Sequence, residues 1–177
     1  MSSVPSMSAF LGKQVQRLLE QNASSIEGLT ADELHFCAHD NTNSVGFDSW
    51  HIARTADNLI NFAFQRKPPV WIAQGLNDAW NLPKADQGTG MDADTAHSLR
   101  FPEAKLLAQY SRDVAANIVP QIEAMSDDDL TATMVIKPQG EMAKLDIVAQ
   151  VVIVHNHAHL GHINIALTAQ GLPGLGF

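Results

Sequence analysis

The run His155-Asn156-His157-Ala158-His159-Leu160-Gly161-His162 places four imidazoles within one short segment of an otherwise apolar stretch. Imidazole is the commonest side-chain ligand for transition metals, and its neutral ring carries one donor and one acceptor. On an α-helix, positions four apart differ by roughly 40° and positions seven apart by roughly 20°. His155, His159 and His162 are therefore expected on one face, the face of Val148 and Val152 that turns to the interior, with His157 on another. An imidazole buried there with a polar atom unpaired costs about 1–3 kcal/mol. A metal ion removes that cost, because histidines four apart put two ring nitrogens on one side of a helix. Two ligands are too few, so a third is expected from a facing helix. His51 is the strongest candidate: it follows Trp50 in another helical segment and has no charged partner nearby in sequence. The competing reading, in which carbonyls, water and neighbouring rings satisfy each imidazole, suits a lone histidine better than this run.

The remaining reactive residues carry weaker signals. His35, His39 and His97 fall in polar segments and read as solvated side chains. Cys37, the single cysteine, lacks a CxxC pattern or a basic cluster and reads as a structural thiol. Asp127-Asp128-Asp129 reads as a helix cap and solvated turn, since it lacks the further ligands of a calcium loop. Trp50, Trp71, Trp80, Phe47 and Phe64 read as core and loop anchors.

Four periodic segments must position these groups. The first, about Ser6 to Gln21, carries Leu11, Val15, Leu18 and Leu19 on one side. The second, about Ser44 to Gln65, repeats Ile52, Ala56, Leu59, Ile60 and Ala63 and stops before Pro68-Pro69. The third starts near Phe101-Pro102-Glu103 and carries Leu107, Val114, Ile118, Ile122 and Met125, with a kink expected at Pro120. The fourth runs from about Lys144 to Gln170 and ends at Gly171 and Pro173. Between them, Thr30 to Glu33 has the start signal of a short helical turn. Pro68 to Gly90 predicts a long ordered loop packed by Trp71 and Trp80, and the stretch around Pro138-Gln139-Gly140 a small hairpin. The expected fold is all-α, a four-helix bundle with long connecting loops forming a single domain over residues 1–177.

Composition narrows the function. A net charge of -8 with 17% charged residues argues against a nucleic-acid partner. The segment Met1 to Phe10 lacks the basic start and apolar core of a signal peptide, and no run approaches the roughly 20 apolar residues of a membrane span. A cytoplasmic protein acting on a small molecule, without a membrane partner, is the expectation.

Two stretches, NSVGFDSWHIARTADNLINF and HNHAHLGHINIALTAQGLPG, resemble the second-helix and fourth-helix signatures of the DinB superfamily. The resemblance extends more loosely through VWIAQGLNDAW and the third helix, from about Leu29 to Pro173. It implies a four-helix bundle with a divalent metal held by His51, His155 and His159. The family includes thiol-dependent enzymes, among them mycothiol-dependent maleylpyruvate isomerase and bacillithiol transferases. Two positions depart from its pattern: Leu160 replaces an arginine, and His162 stands where many relatives have glutamine.

The functional expectation is a metal-dependent transferase, isomerase or hydrolase. Zinc and nickel suit imidazole best, with iron or manganese as alternatives, and a low-molecular-weight thiol is the implied co-substrate. His162 is the candidate catalytic residue, as general base or as a group orienting a ligand. The competing class is a non-catalytic protein with a closed structural site and His162 as fourth ligand. A homodimer is the expected assembly.

Overall fold

The computed structural model describes residues 4–176 and is mostly helical, with one small sheet. The first three residues of the N-terminal segment read above lie outside the described residues. Four long helical segments dominate, each close to its expected place. α1 (Met7–Ile26) starts where the Ser6 hydroxyl accepts from Ala9 N at 3.2 Å and runs further than the periodicity indicated. Its inner stripe, Leu11, Val15, Leu18, Leu19, Ala23 and Ile26, is almost fully buried. α2 (Ala31–Leu34) is the short turn foreseen, closed by a Thr30/Glu33 capping box.

α3 (Val45–Asp57) is capped by the Ser44 side chain, which accepts from Phe47 N, and continues as a π-helical stretch, Asn58–Phe64. Every residue of α3 is buried, because α1, α7 and α10 all pack on it. The long connection contains α4 (Val70–Ala73), α5 (Leu76–Ala79) and α6 (Ala93–Ser98). It is anchored as expected by Trp71, which is 0% exposed and packs edge-on against Trp50 and Trp80. α7 (Ala104–Glu123) packs along α1 and carries Pro120 inside a single helix.

α8 (Asp127–Thr131) begins at Ser126 with Asp129 completing a capping box, the cap role read for the aspartate run. β1 (Thr133–Ile136) and β2 (Gly140–Ala143) form the antiparallel hairpin, pairing Thr133 with Ala143 and Ile136 with Gly140. The last segment is built from α9 (Lys144–Asp146), a π-helical stretch Ile147–His155, and α10 (Asn156–Ala169). The buried side chains form one contiguous core drawn from all four long segments. Among the described residues, no helix is long and apolar enough to cross a membrane.

Candidate metal centre

His51 sits in the middle of α3, 3% exposed, with its ring stacked on Phe47 at a centroid distance of 6.2 Å and an interplanar angle of 9°. Its Nδ1–H donates to the Gln87 carbonyl at 2.6 Å. Only the protonated nitrogen can face a carbonyl oxygen, so this contact selects the tautomer. The loop is held at that spot by its own bonds. Gly88 N donates to Asp86 Oδ1 at 2.7 Å, and the buried Arg54 reaches the Lys84 and Asp86 carbonyls. Gly88 itself has φ +92, and a Cβ there would lie 2.6 Å from Phe47 Cζ, so both backbone and space demand glycine.

On the last segment, the buried positions are Ile147, Val148, Val152, Asn156, Leu160, Ile163, Ala166 and Leu167. His155 and His162 are exposed and His159 is half-buried, so the expectation that the histidines share the inward face of Val152 is corrected. The reason is local. The π-helical turns through His155 change the phase of the helix, and Asn156 takes the inward position instead, donating from Nδ2 to the Ile52 carbonyl. The histidines flank the buried stripe at its margin. His155 and His159 nevertheless lean over α3 and meet His51.

The three Nε2 atoms converge: His155 Nε2 lies 3.1 Å from that of His51 and 3.3 Å from that of His159. His159 donates from Nδ1 to Asp48 Oδ1 at 2.8 Å. Since His51 and His159 both carry their proton on Nδ1, both Nε2 atoms present lone pairs to His155 Nε2. One proton on that nitrogen cannot serve two such acceptors well. A cation resolves the conflict. Two imidazole nitrogens held tetrahedrally at about 2.05 Å from one ion lie about 3.3 Å apart, close to the separations observed. The donor set therefore fits a divalent transition metal. Electrostatics agree: burial is the main reason that the His51 imidazolium is pushed down to about pKa 4, with the neighbouring imidazoles adding to it. Burial and His159 lower His155 as well. Both rings are neutral Lewis bases near neutral pH.

Asp48, which sequence reasoning missed, supports this cluster from behind. It lies on the first turn of α3, 1% exposed, and its Oδ1 also accepts from Asn43 Nδ2 at 2.8 Å. The view that no charged residue stands near His51 is corrected here: Asp48 is one turn away but serves His159 on another helix. Its place one turn before His51 in the DSWH stretch was the available signal. A carboxylate on the remote nitrogen of a ligating histidine orients the ring and strengthens its basicity.

His162 does not join the three converging imidazoles. It groups instead with Asp48 and His159, with its Nδ1 3.7 Å from Asp48 Oδ2. The other histidines lie apart. His157 bonds to the Ile153 carbonyl. His35, expected to be solvated, is half-buried and structural: Nδ1 faces the Ala31 carbonyl and Nε2 accepts from Phe101 N. His97 is half-buried and faces the Thr42 carbonyl, while His39 is exposed. Burial and Asp48 raise the Cys37 thiol above its ordinary pKa, in keeping with an unreactive sulfur.

A family model described as DinB superfamily matches residues 14–163 of the chain. No curated protein matches it. Among solved structures, a conserved protein from Enterococcus faecalis superposes with a TM-score of 0.76 at 16% identity, covering 94% of this chain and 99% of that one. At that identity the likeness shows a shared fold.

Proposed function

The chain belongs to the DinB superfamily, and on that footing we propose that it is a metal-dependent enzyme whose His51, His155 and His159 hold one divalent transition-metal ion. The observation that carries this reading is the convergence of three Nε2 atoms, two of them forced by their Nδ1 partners to present lone pairs. The four long helical segments support reading the fold as a four-helix bundle. Zinc or nickel is the best match to an all-imidazole set.

When bound, a divalent ion on three imidazoles supplies Lewis-acid activation of a water or a thiol near neutral pH. The chain's own residues do the rest. The Gln87 carbonyl and the Asp48 carboxylate hold the His51 and His159 rings in one tautomer and one orientation. Phe47 shields one face of His51 from water. The exposed edge of His155 leaves a side of the centre open to solvent and to a small-molecule substrate. That openness favours a catalytic site over a closed structural one, and His162 stands outside the convergent set that a closed site would need to include.

The test is elemental analysis of the untagged protein. About one zinc or nickel per chain is expected, with near-complete loss in His155→Ala. Substoichiometric metal that is unchanged in that variant sinks the reading. A thiol-transfer and hydrolase screen of the metal-loaded protein then separates a transferase or isomerase from a hydrolase.

A further inference from the structure

Behind the first cluster, Asp48 presents an unfinished set of contacts. Among the described residues, its buried carboxylate has only the imidazoles of His159 and His162 as ion-pair partners. Oδ1 is engaged by Asn43 Nδ2 and His159 Nδ1. Oδ2 faces His162 Nδ1 across 3.7 Å, which is too long for a hydrogen bond. Two ligand atoms each about 2.1 Å from a shared ion are separated by about that distance at an angle of roughly 120°. The donor atoms of Asp48, His159 and His162 all lie within 4.8 Å of one another. His162 is largely exposed, with 60% of its side chain accessible, and borders a cleft of about 270 Å³ lined also by Asn41, Thr42, Asn43 and Ile165. The His162 ring is thus open to a hydrated ion from that cleft.

We propose that Asp48, His159 and His162 form a second divalent-cation site, sharing His159 with the first. A borderline cation such as zinc accepts this mixed carboxylate and imidazole set. Binding there neutralises the buried carboxylate, which is otherwise costly to keep charged without a full partner. The proton now on His159 Nδ1 leaves to solvent as that nitrogen takes the ion, so His159 joins the two centres through its two ring nitrogens. Because His159 is common to both groups, the second site rests on the reading of the first.

Zinc alone, titrated into the chelator-treated full chain by equilibrium dialysis with elemental analysis, tests the idea. Far-UV circular dichroism on each sample verifies folding. Wild type is expected to bind two ions per chain, the second about tenfold weaker or more, since two dications sharing one ring repel each other. His162→Ala, an exposed change, is expected to bind one ion with the tighter affinity unchanged. His51→Ala is expected to keep one ion, held at the Asp48 side. A single ion in wild type, or a second ion that survives His162→Ala, overturns the second site and leaves the first standing. Failure of wild type to bind any zinc overturns both.

Discussion

Asp48 and Asp57 sit at opposite ends of α3, both carboxylates buried, at 1% and 0% exposed. Their partners differ in kind. Asp57 is fully occupied: Oδ1 accepts from Asn61 Nδ2 and Val70 N, and Oδ2 accepts from Trp71 N and the Tyr110 hydroxyl. Four neutral donors from three elements spread its charge and tie the long connection to α3 and α7. Burial and the Asp57 charge hold the Tyr110 phenol well above its ordinary pKa, so it remains a donor. Asp48 is occupied on one oxygen and opens on the other toward the exposed imidazole of His162. The same residue type, on the same helix and at the same depth, thus closes a structure at one end and supports a histidine cluster at the other. Burial alone does not separate the two roles; the supply of donors does.

The largest effect is expected at the closed end. Asp57→Ala leaves the Tyr110 hydroxyl, the Asn61 amide and two backbone N–H groups without their acceptor, and at about 1–3 kcal/mol for each buried donor left unpaired, urea unfolding is expected to show a loss of about 3–5 kcal/mol or more. At 25 °C the metal content of the folded fraction should be unchanged.

Acid acts on the open end. With its folded pKa lowered to about 4 against an ordinary 6.5, His51 binds a proton more readily in the unfolded chain. In metal-free protein its contribution is fully present above about pH 6.5 and is lost as pH falls toward 4. The loss is about 3 kcal/mol, read from unfolding curves at several pH values. A His51→Gln variant whose metal-free pH profile matches wild type would remove that account.

Asp48→Asn keeps the shape of the side chain and removes the charge behind His159. Affinity for the first ion is expected to fall about 10–100-fold in chelator competition, with a smaller loss of stability than Asp57→Ala. If the two substitutions destabilise the fold equally, the contrast between the ends of α3 breaks. The smallest effect belongs to His162→Ala: because the ring is exposed, stability should stay within about 0.5 kcal/mol of wild type, measured by thermal melting of the metal-free chain.

Much of this arrangement was legible in the sequence. The apolar spacing of α1 and α7, the start of α3 near Ser44, the indole-packed connection and the hairpin at Gly140 all express local rules of period and turn chemistry. The spacing of His155 and His159 likewise indicated one side of a metal cluster, and the structure brings both to His51. The π-helical turns before Asn156 were not legible, because residue types do not signal a switch in hydrogen-bond step. That switch is why the imidazoles lie at the edge of the core and not within it. Asp48 was passed over because its partner is on another helix, distant in sequence.

From its sequence alone, this chain determines where helices begin and end and which rings fall on neighbouring turns, because those are short-range properties of backbone and side chain. Only the tertiary structure decides that a loop carbonyl at Gln87 and a carboxylate at Asp48 choose the tautomers of His51 and His159. It also decides that one buried aspartate of α3 accepts on both oxygens from four donors, whereas the other turns one oxygen toward the exposed His162 ring. Those outcomes depend on donors and acceptors that meet only when distant segments pack, and no local pattern encodes such a meeting.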